Sequence, residues 1–365
     1  MKQIKINNFG LLKAAAVIAT SIFGITNTDA VKAAVYDSVL RCLTTVIPSL
    51  YGMMIISGLL VKSNIICNVP NFIKKIGSSF FGMSGGVFPI FIFSMVAGYP
   101  IGSKMLCSEY ENGNLSRHDA EIFSGICYGA GPAFIFGCIS SQLYGGSISG
   151  KIIIVSTISA NLILAFFLSI FLKKRSYAPS ARKKIILSSE TLNASILSAG
   201  RSLADICLMI SAFSVFTVFL EKIGAINFAA ELISKCFNIP NESCSGIIFA
   251  FLDITSVNRL PYGNYDILPI ISALTSFGGV CVIMQLSALN SGKLSLKPLV
   301  LLRVCSALLS GAICHFIMPI FLANETVSAA NITASCFHTA SPIPSVMLIF
   351  MTIILFRDIE KLHVK

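Results

Sequence analysis

The sequence has no tryptophan and little charge. Asp, Glu, Lys and Arg together supply 12% of its 365 residues, about half the share of an ordinary soluble domain. So few charges cannot cover the surface of a water-soluble globule. Apolar residues reach 55%, which excludes a disordered chain as well. Acid is scarcest of all: 16 Asp and Glu stand against 27 Lys and Arg, a formal net charge of +11. A nucleic-acid-binding surface would gather those cations on a polar face. Here they lie between long apolar runs, so no nucleic-acid partner is expected. The remaining class is an all-α polytopic membrane protein whose first partner is the lipid bilayer.

Further absences narrow the chemistry. The 12 cysteines contain no C-x-x-C pair, so metal and redox motifs lack local support, and most sit in apolar runs as small packing residues. The four histidines are scattered. There is no nucleophile elbow, P-loop or dinucleotide fingerprint. The chain is read as a non-enzyme without metal or cofactor.

What the chain does have is apolar segments of spanning length. Val39–Val61, Ile152–Leu172, Leu203–Leu220, Leu299–Phe321 and Phe337–Phe356 can each cross a hydrocarbon core about 30 Å thick. At the start, Lys2 and Lys5 precede an apolar run from Phe9 to Ile25, with Ala30, Ala33 and Ala34 behind it. That order suits a signal peptide. It equally suits an uncleaved first helix with a basic cytoplasmic flank, which is preferred because the rest of the chain is itself membrane-inserted.

Other apolar segments are interrupted. Val87–Ala97 ends at Gly98-Tyr99-Pro100, Ile122–Ile139 is broken by Gly129, Gly131 and Pro132, Gly246–Leu252 runs into Asp253, and Ile267–Leu289 is cut by Gly278-Gly279. Backbone groups freed at such breaks must be satisfied by protein, water or ions. Intact and broken pieces follow the same order twice, which predicts two inverted structural repeats with broken or re-entrant helices. Paired interruptions in two halves point to a transporter binding site. The expected organisation is an N-terminal membrane helix or signal anchor at 1–34, a first repeat at 35–172, a basic cytoplasmic linker at 173–190, a second repeat at 191–321, and a C-terminal membrane helix and tail at 322–365. The linker carries Lys173-Lys174-Arg175 and Arg182-Lys183-Lys184, a topology signal.

Four constellations could carry function. In the first, Gly98, Tyr99 and Pro100 form a sharp turn followed by Lys104. That lysine either meets an anion beside an open helix end or snorkels to the interface. Gly131 and Pro132 repeat the breaker chemistry, or permit close helix packing. Asp253 and Thr255 place an ionisable group at membrane depth, where it binds a cation, proton or substrate, or caps a helix break. Gly278 and Gly279 free backbone groups, and Gln285 follows about two turns later with both donor and acceptor. These eleven residues are the candidate solute-binding set. Arg201 and Asp205, spaced i, i+4, are expected to pair structurally.

Taken together, AGYPIGSKM (Ala97–Met105), GAGPAFIFG (Gly129–Gly137), FLDITS (Phe251–Ser256) and SFGGVCVIMQ (Ser276–Gln285) resemble the YlbJ-type sporulation integral membrane proteins, within the nucleoside-recognition Gate domain group. The likeness runs from about Val35 to Phe321. It implies a transporter-like protein of the bacterial cell membrane, in the membranes surrounding the forespore, that moves dipicolinic acid during spore maturation. A coupling cation or proton and a homo-oligomer are compatible with it. A permease for nucleosides or another small solute, and a non-transporting scaffold for sporulation proteins, are the alternatives.

Overall fold

The computed structural model describes residues 18, 21–83, 86–171, 184–237 and 239–328. Residues 1–17, residues 173–183 of the basic linker, and the expected C-terminal span at Phe337–Phe356 lie outside that set. Among the described residues the regular structure is helical throughout, without a strand. Five helical stretches are long and apolar enough to cross a bilayer: Thr28–Lys62, Ile148–Ile170, Ser189–Lys222, Tyr265–Leu289 and Lys297–Ala323. The chain is an all-α polytopic membrane protein.

The long helices follow from composition. Unbroken apolar runs leave every backbone group to its own helix, which is what lipid demands. We label the first α1 (Thr28–Lys62); it is continuous, but carries a π-helical stretch at Cys42–Val46 just ahead of Pro48. Then come α2 (Asn71–Phe81), α3 (Val87–Ala97), α4 (Ile101–Glu111) and α5 (Arg117–Ser124). Residues 132–144 form α6, with a π-helical centre at Ile135–Ser140, and α7 (Ile148–Phe171) completes this half. The second half holds α8 (Ser189–Lys222), α9 (Ala225–Phe237), α10 (Asn241–Leu252), a 3-10 turn at Ile254–Arg259, α11 (Leu268–Phe277), α12 (Gly279–Leu289) and α13 (Lys297–Ser328). Both halves run from a long helix through a short two-faced helix and a half-length helix to a broken span and a second long helix, but the first half has α4 and α5 where the second has only 3-10 turns.

The two-faced helices α2 and α9 have an interfacial design. Phe72, Ile76 and Phe80 recur every four residues on α2 and are exposed, as are Phe228 and Leu232 on α9. Apolar side chains at that spacing form one stripe, and a stripe left uncovered by protein suits the headgroup–acyl boundary.

Helix α8 serves as a ruler for depth. Near its start, Lys104 on α4 donates to the Ser202 hydroxyl and to the Ser198 carbonyl. Near its end, Glu221 faces Arg259 at 3.7 Å. From Ser202 to Glu221 the helix rises roughly 28 Å, the thickness of a hydrocarbon core. The α3–α4 hairpin therefore opens toward one membrane face. The α10 hairpin with its 3-10 return opens toward the other. At that second face Tyr144 Oη donates to the Asn264 carbonyl at 3.0 Å, the Gly263 N–H donates to the Leu143 carbonyl at 2.8 Å, and the Tyr144 and Tyr265 rings lie 4.7 Å apart.

The first face is the basic one. It carries Lys62, Lys293 and Lys297, and the end of the linker docks there through the Ile186 N–H on the Ser63 carbonyl at 3.2 Å. Lys293 donates to the Glu111 carboxylate, and this bond holds its ammonium above the usual lysine range. A raised lysine stabilises the fold below its unfolded pKa and loses that effect as pH rises through the folded value. The excess of cations makes this the face expected on the cytoplasmic side. Arg201 and Asp205 both stand exposed on α8 without an ion pair between them, so that expectation is corrected: solvation or lipid headgroups serve each charge better than a long-chain pair would.

In a cysteine-depleted background, Asn112→Cys is expected to react with an impermeant maleimide from the cytoplasmic side only, and Ser147→Cys from the opposite side only. Labelling of both from one side would overturn the assignment.

Candidate functional site

In the first half the two breaks touch backbone to backbone. Gly98 ends α3 with φ +83°, and the Tyr99–Pro100 peptide is cis. The Tyr99 N–H donates to the Gly129 carbonyl at 2.7 Å. A Cβ on Gly98 would lie 2.7 Å from the Gly131 nitrogen, and a Cβ on Gly102 only 2.1 Å from the Cys127 carbonyl oxygen. No side chain fits in either place. Pro132 then starts α6 at the one helical position where a missing N–H costs nothing.

The second half repeats this contact. Gly278 and Gly279 separate α11 from α12 with φ of +87° and +85°. A Cβ on Gly279 would lie 3.0 Å from the Ile254 nitrogen and 3.4 Å from the Leu252 carbonyl oxygen. The hairpin tip of this half thus packs on the broken span of the same half, as Gly98 packs on Gly131.

A buried polar knot joins the two crossings. Tyr128 Oη donates to the Phe277 carbonyl at 3.1 Å, while its ring stacks on Tyr99 with centroids 4.9 Å apart. Arg303 of α13, fully buried, donates from one terminal nitrogen to the Tyr128 carbonyl at 3.0 Å and the Ser276 carbonyl at 3.4 Å. Its other terminal nitrogen donates to Asn161 Oδ1 at 2.9 Å. Asn161, on α7, donates in turn to the Tyr128 carbonyl at 2.9 Å and accepts from the Ser306 hydroxyl at 2.9 Å. Carbonyls freed by two different breaks are satisfied by side chains from the two intact helices behind them.

Most of the expected site residues meet at this centre: Gly98, Tyr99, Pro100, Gly131, Pro132, Asp253, Thr255, Gly278 and Gly279. Asp253 is buried and caps the 3-10 turn. Its carboxylate accepts from the Thr255 N–H at 3.0 Å and the Thr255 hydroxyl at 2.7 Å. Arg41, Tyr99, Cys138 and Cys281 lie within electrostatic reach of it. Two buried donors here have no acceptor among the described residues, Tyr99 Oη and Arg41 Nε. Gln285 is buried along α12, with its amide on the Cys281 sulfur at 3.4 Å.

Lys104 stands apart. It leans on α8 rather than on the open end of α3, and it lines a half-open cavity of about 160 Å³ between α1, α4 and α8 with Lys62, Ser57, Ser108 and Glu111. Lys62 donates to the Ala194 carbonyl at 2.7 Å. Neither lysine has a carboxylate within ion-pair distance among the described residues.

Sequence reasoning missed Arg303, Asn161, Tyr128 and Arg41 as parts of the site. Arg303 did carry a signal, as the sole Asp, Glu, Lys or Arg within Leu299–Phe321, where an ionisable residue marks function. Asn161 and Tyr128 carried none, because their partners are backbone carbonyls distant in sequence. No family model, curated protein or solved structure matches the chain.

The backbone contacts set a test. Gly98 and Gly113 both have positive φ, +83° and +70°, but only Gly98 faces another backbone, while Gly113 faces open space. Gly113→Ala is expected to lower stability by about 1 kcal/mol, and Gly98→Ala by ~3 kcal/mol or more. Thermal unfolding of the purified variants measures the gap, and equal shifts would refute the contact.

Proposed function

We propose that the protein is a secondary transporter or permease for a small organic anion, with two inverted halves that rock against each other around the central crossing. The observation that carries this reading is the convergence of four backbone breaks, from hairpins entering at opposite faces, on one buried point. Broken helices in corresponding positions of two halves are the usual architecture of an alternating-access site.

The anionic preference rests on charge. The cavity at the basic face presents Lys62 and Lys104, neither of them ion-paired among the described residues although Glu111 also lines it, and the centre offers Tyr99 Oη and Arg41 Nε as unfilled donors. A planar solute with carboxylates at two edges supplies acceptors to each kind of donor in turn, first at the lysines and then at the centre. Asp253 works against such a solute unless a proton or coupled cation neutralises it; its oxygens accept from the Thr255 N–H and hydroxyl, and Arg41 lies within electrostatic reach. The resemblance to sporulation proteins supplies dipicolinic acid as the first solute to try, and the membranes around the forespore as the place.

The test is uptake of labelled dipicolinate by liposomes containing the purified protein, with uridine as the competing class. Dipicolinate is expected to accumulate and uridine is not. Lys62→Gln with Lys104→Gln should reduce uptake roughly tenfold, the loss of one charge-assisted contact. Asp253→Ala should reduce it through loss of the cap. Uptake of uridine alone, or of neither solute, would refute the reading.

A further inference from the structure

We propose that the oxygen cage formed by the Tyr128 carbonyl, the Ser276 carbonyl and Asn161 Oδ1 is a monovalent-cation site that the chain fills with its own Arg303 guanidinium. Three acceptors from three different elements face the guanidinium, two on one terminal nitrogen at 3.0 and 3.4 Å and one on the other at 2.9 Å. Ser276 lies in the last turn of α11, where aligned peptide dipoles leave partial negative charge. The Tyr128 ring adds its face, with its centroid 5.0 Å from the guanidinium carbon, a distance at which a ring attracts a cation.

The cage is built for charge rather than for the arginine fork. No carboxylate lies within ion-pair distance of Arg303 among the described residues, and its Nε is buried without an acceptor. An arginine selected for bidentate pairing would meet a carboxylate with two parallel bonds. Here dipolar oxygens surround a positive centre, the arrangement with which unwound membrane helices hold a free cation. The tethered guanidinium thus ties the 125–131 break to the α11–α12 break from behind. Removing the side chain would leave an oxygen cage open to a soluble cation of similar charge. The inference depends on the crossing geometry and not on which solute is moved.

The test is thermal unfolding of Arg303→Ala in detergent, at constant ionic strength, with choline, sodium, potassium or low-millimolar guanidinium as the cation. The wild-type protein is expected to melt at the same temperature in all four. Arg303→Ala should melt lower in choline and recover by about 3 °C once guanidinium exceeds its Kd tenfold, with a smaller recovery in sodium or potassium. If Arg303→Ala yields no folded protein, Arg303→Gln, which keeps most of the volume and removes the charge, is put through the same series. A variant whose melting temperature ignores the cation, or a neutral variant as stable as the wild type in choline, would overturn the proposal.

Discussion

A backbone that leaves the helix inside a membrane must find partners for its N–H and C=O groups within the protein, since hydrocarbon offers none. The rest of this structure follows from that requirement. Each half opens its helices twice, and the two openings of a half meet: Tyr99 bonds to Gly129 in the first, and Leu252 and Ile254 pack against Gly279 in the second. Contacts made by backbone alone leave no room for Cβ atoms, so glycine stands at the closest approaches. What backbone cannot reach is satisfied by Asn161 and Arg303 from α7 and α13. The intact helices are therefore more than lipid-facing walls, because they carry the groups that allow their neighbours to be broken.

Much of this fold was legible in the sequence because lipid imposes simple rules. The four expected spans that fall among the described residues become long helices, and the interruptions at Gly98, Gly131, Asp253 and Gly278 fall at helix boundaries. The limits of α1 and α8 were less legible. Both run well beyond their apolar cores, to Thr28 and Ser189, because helical hydrogen bonding continues into the polar interface, where hydropathy no longer reports it.

The centre was legible only in part. Breakers announce themselves locally, since glycine and proline act on their own backbone. Partners do not: Tyr128 meets Phe277, and Arg303 meets Tyr128, across 149 and 175 residues of chain. Lys104 shows the reach of a long side chain. Its neighbour in sequence is a helix break, yet a side chain as long as lysine reaches the next helix, and its ammonium lies on Ser198 and Ser202. Proximity in sequence locates a lysine Cα, not its charge.

The face opposite the basic one bears a different consequence. There the α6 end and the 263–265 turn are joined by the Tyr144–Asn264 and Gly263–Leu143 bonds, while the basic face carries an open cavity. Ring contact between Tyr144 and Tyr265 and the burial of Leu143 and Leu260 in one core add to those bonds. One face is thus shut by side chains that meet across the two halves of the chain, while the other is left indented between α1, α4 and α8.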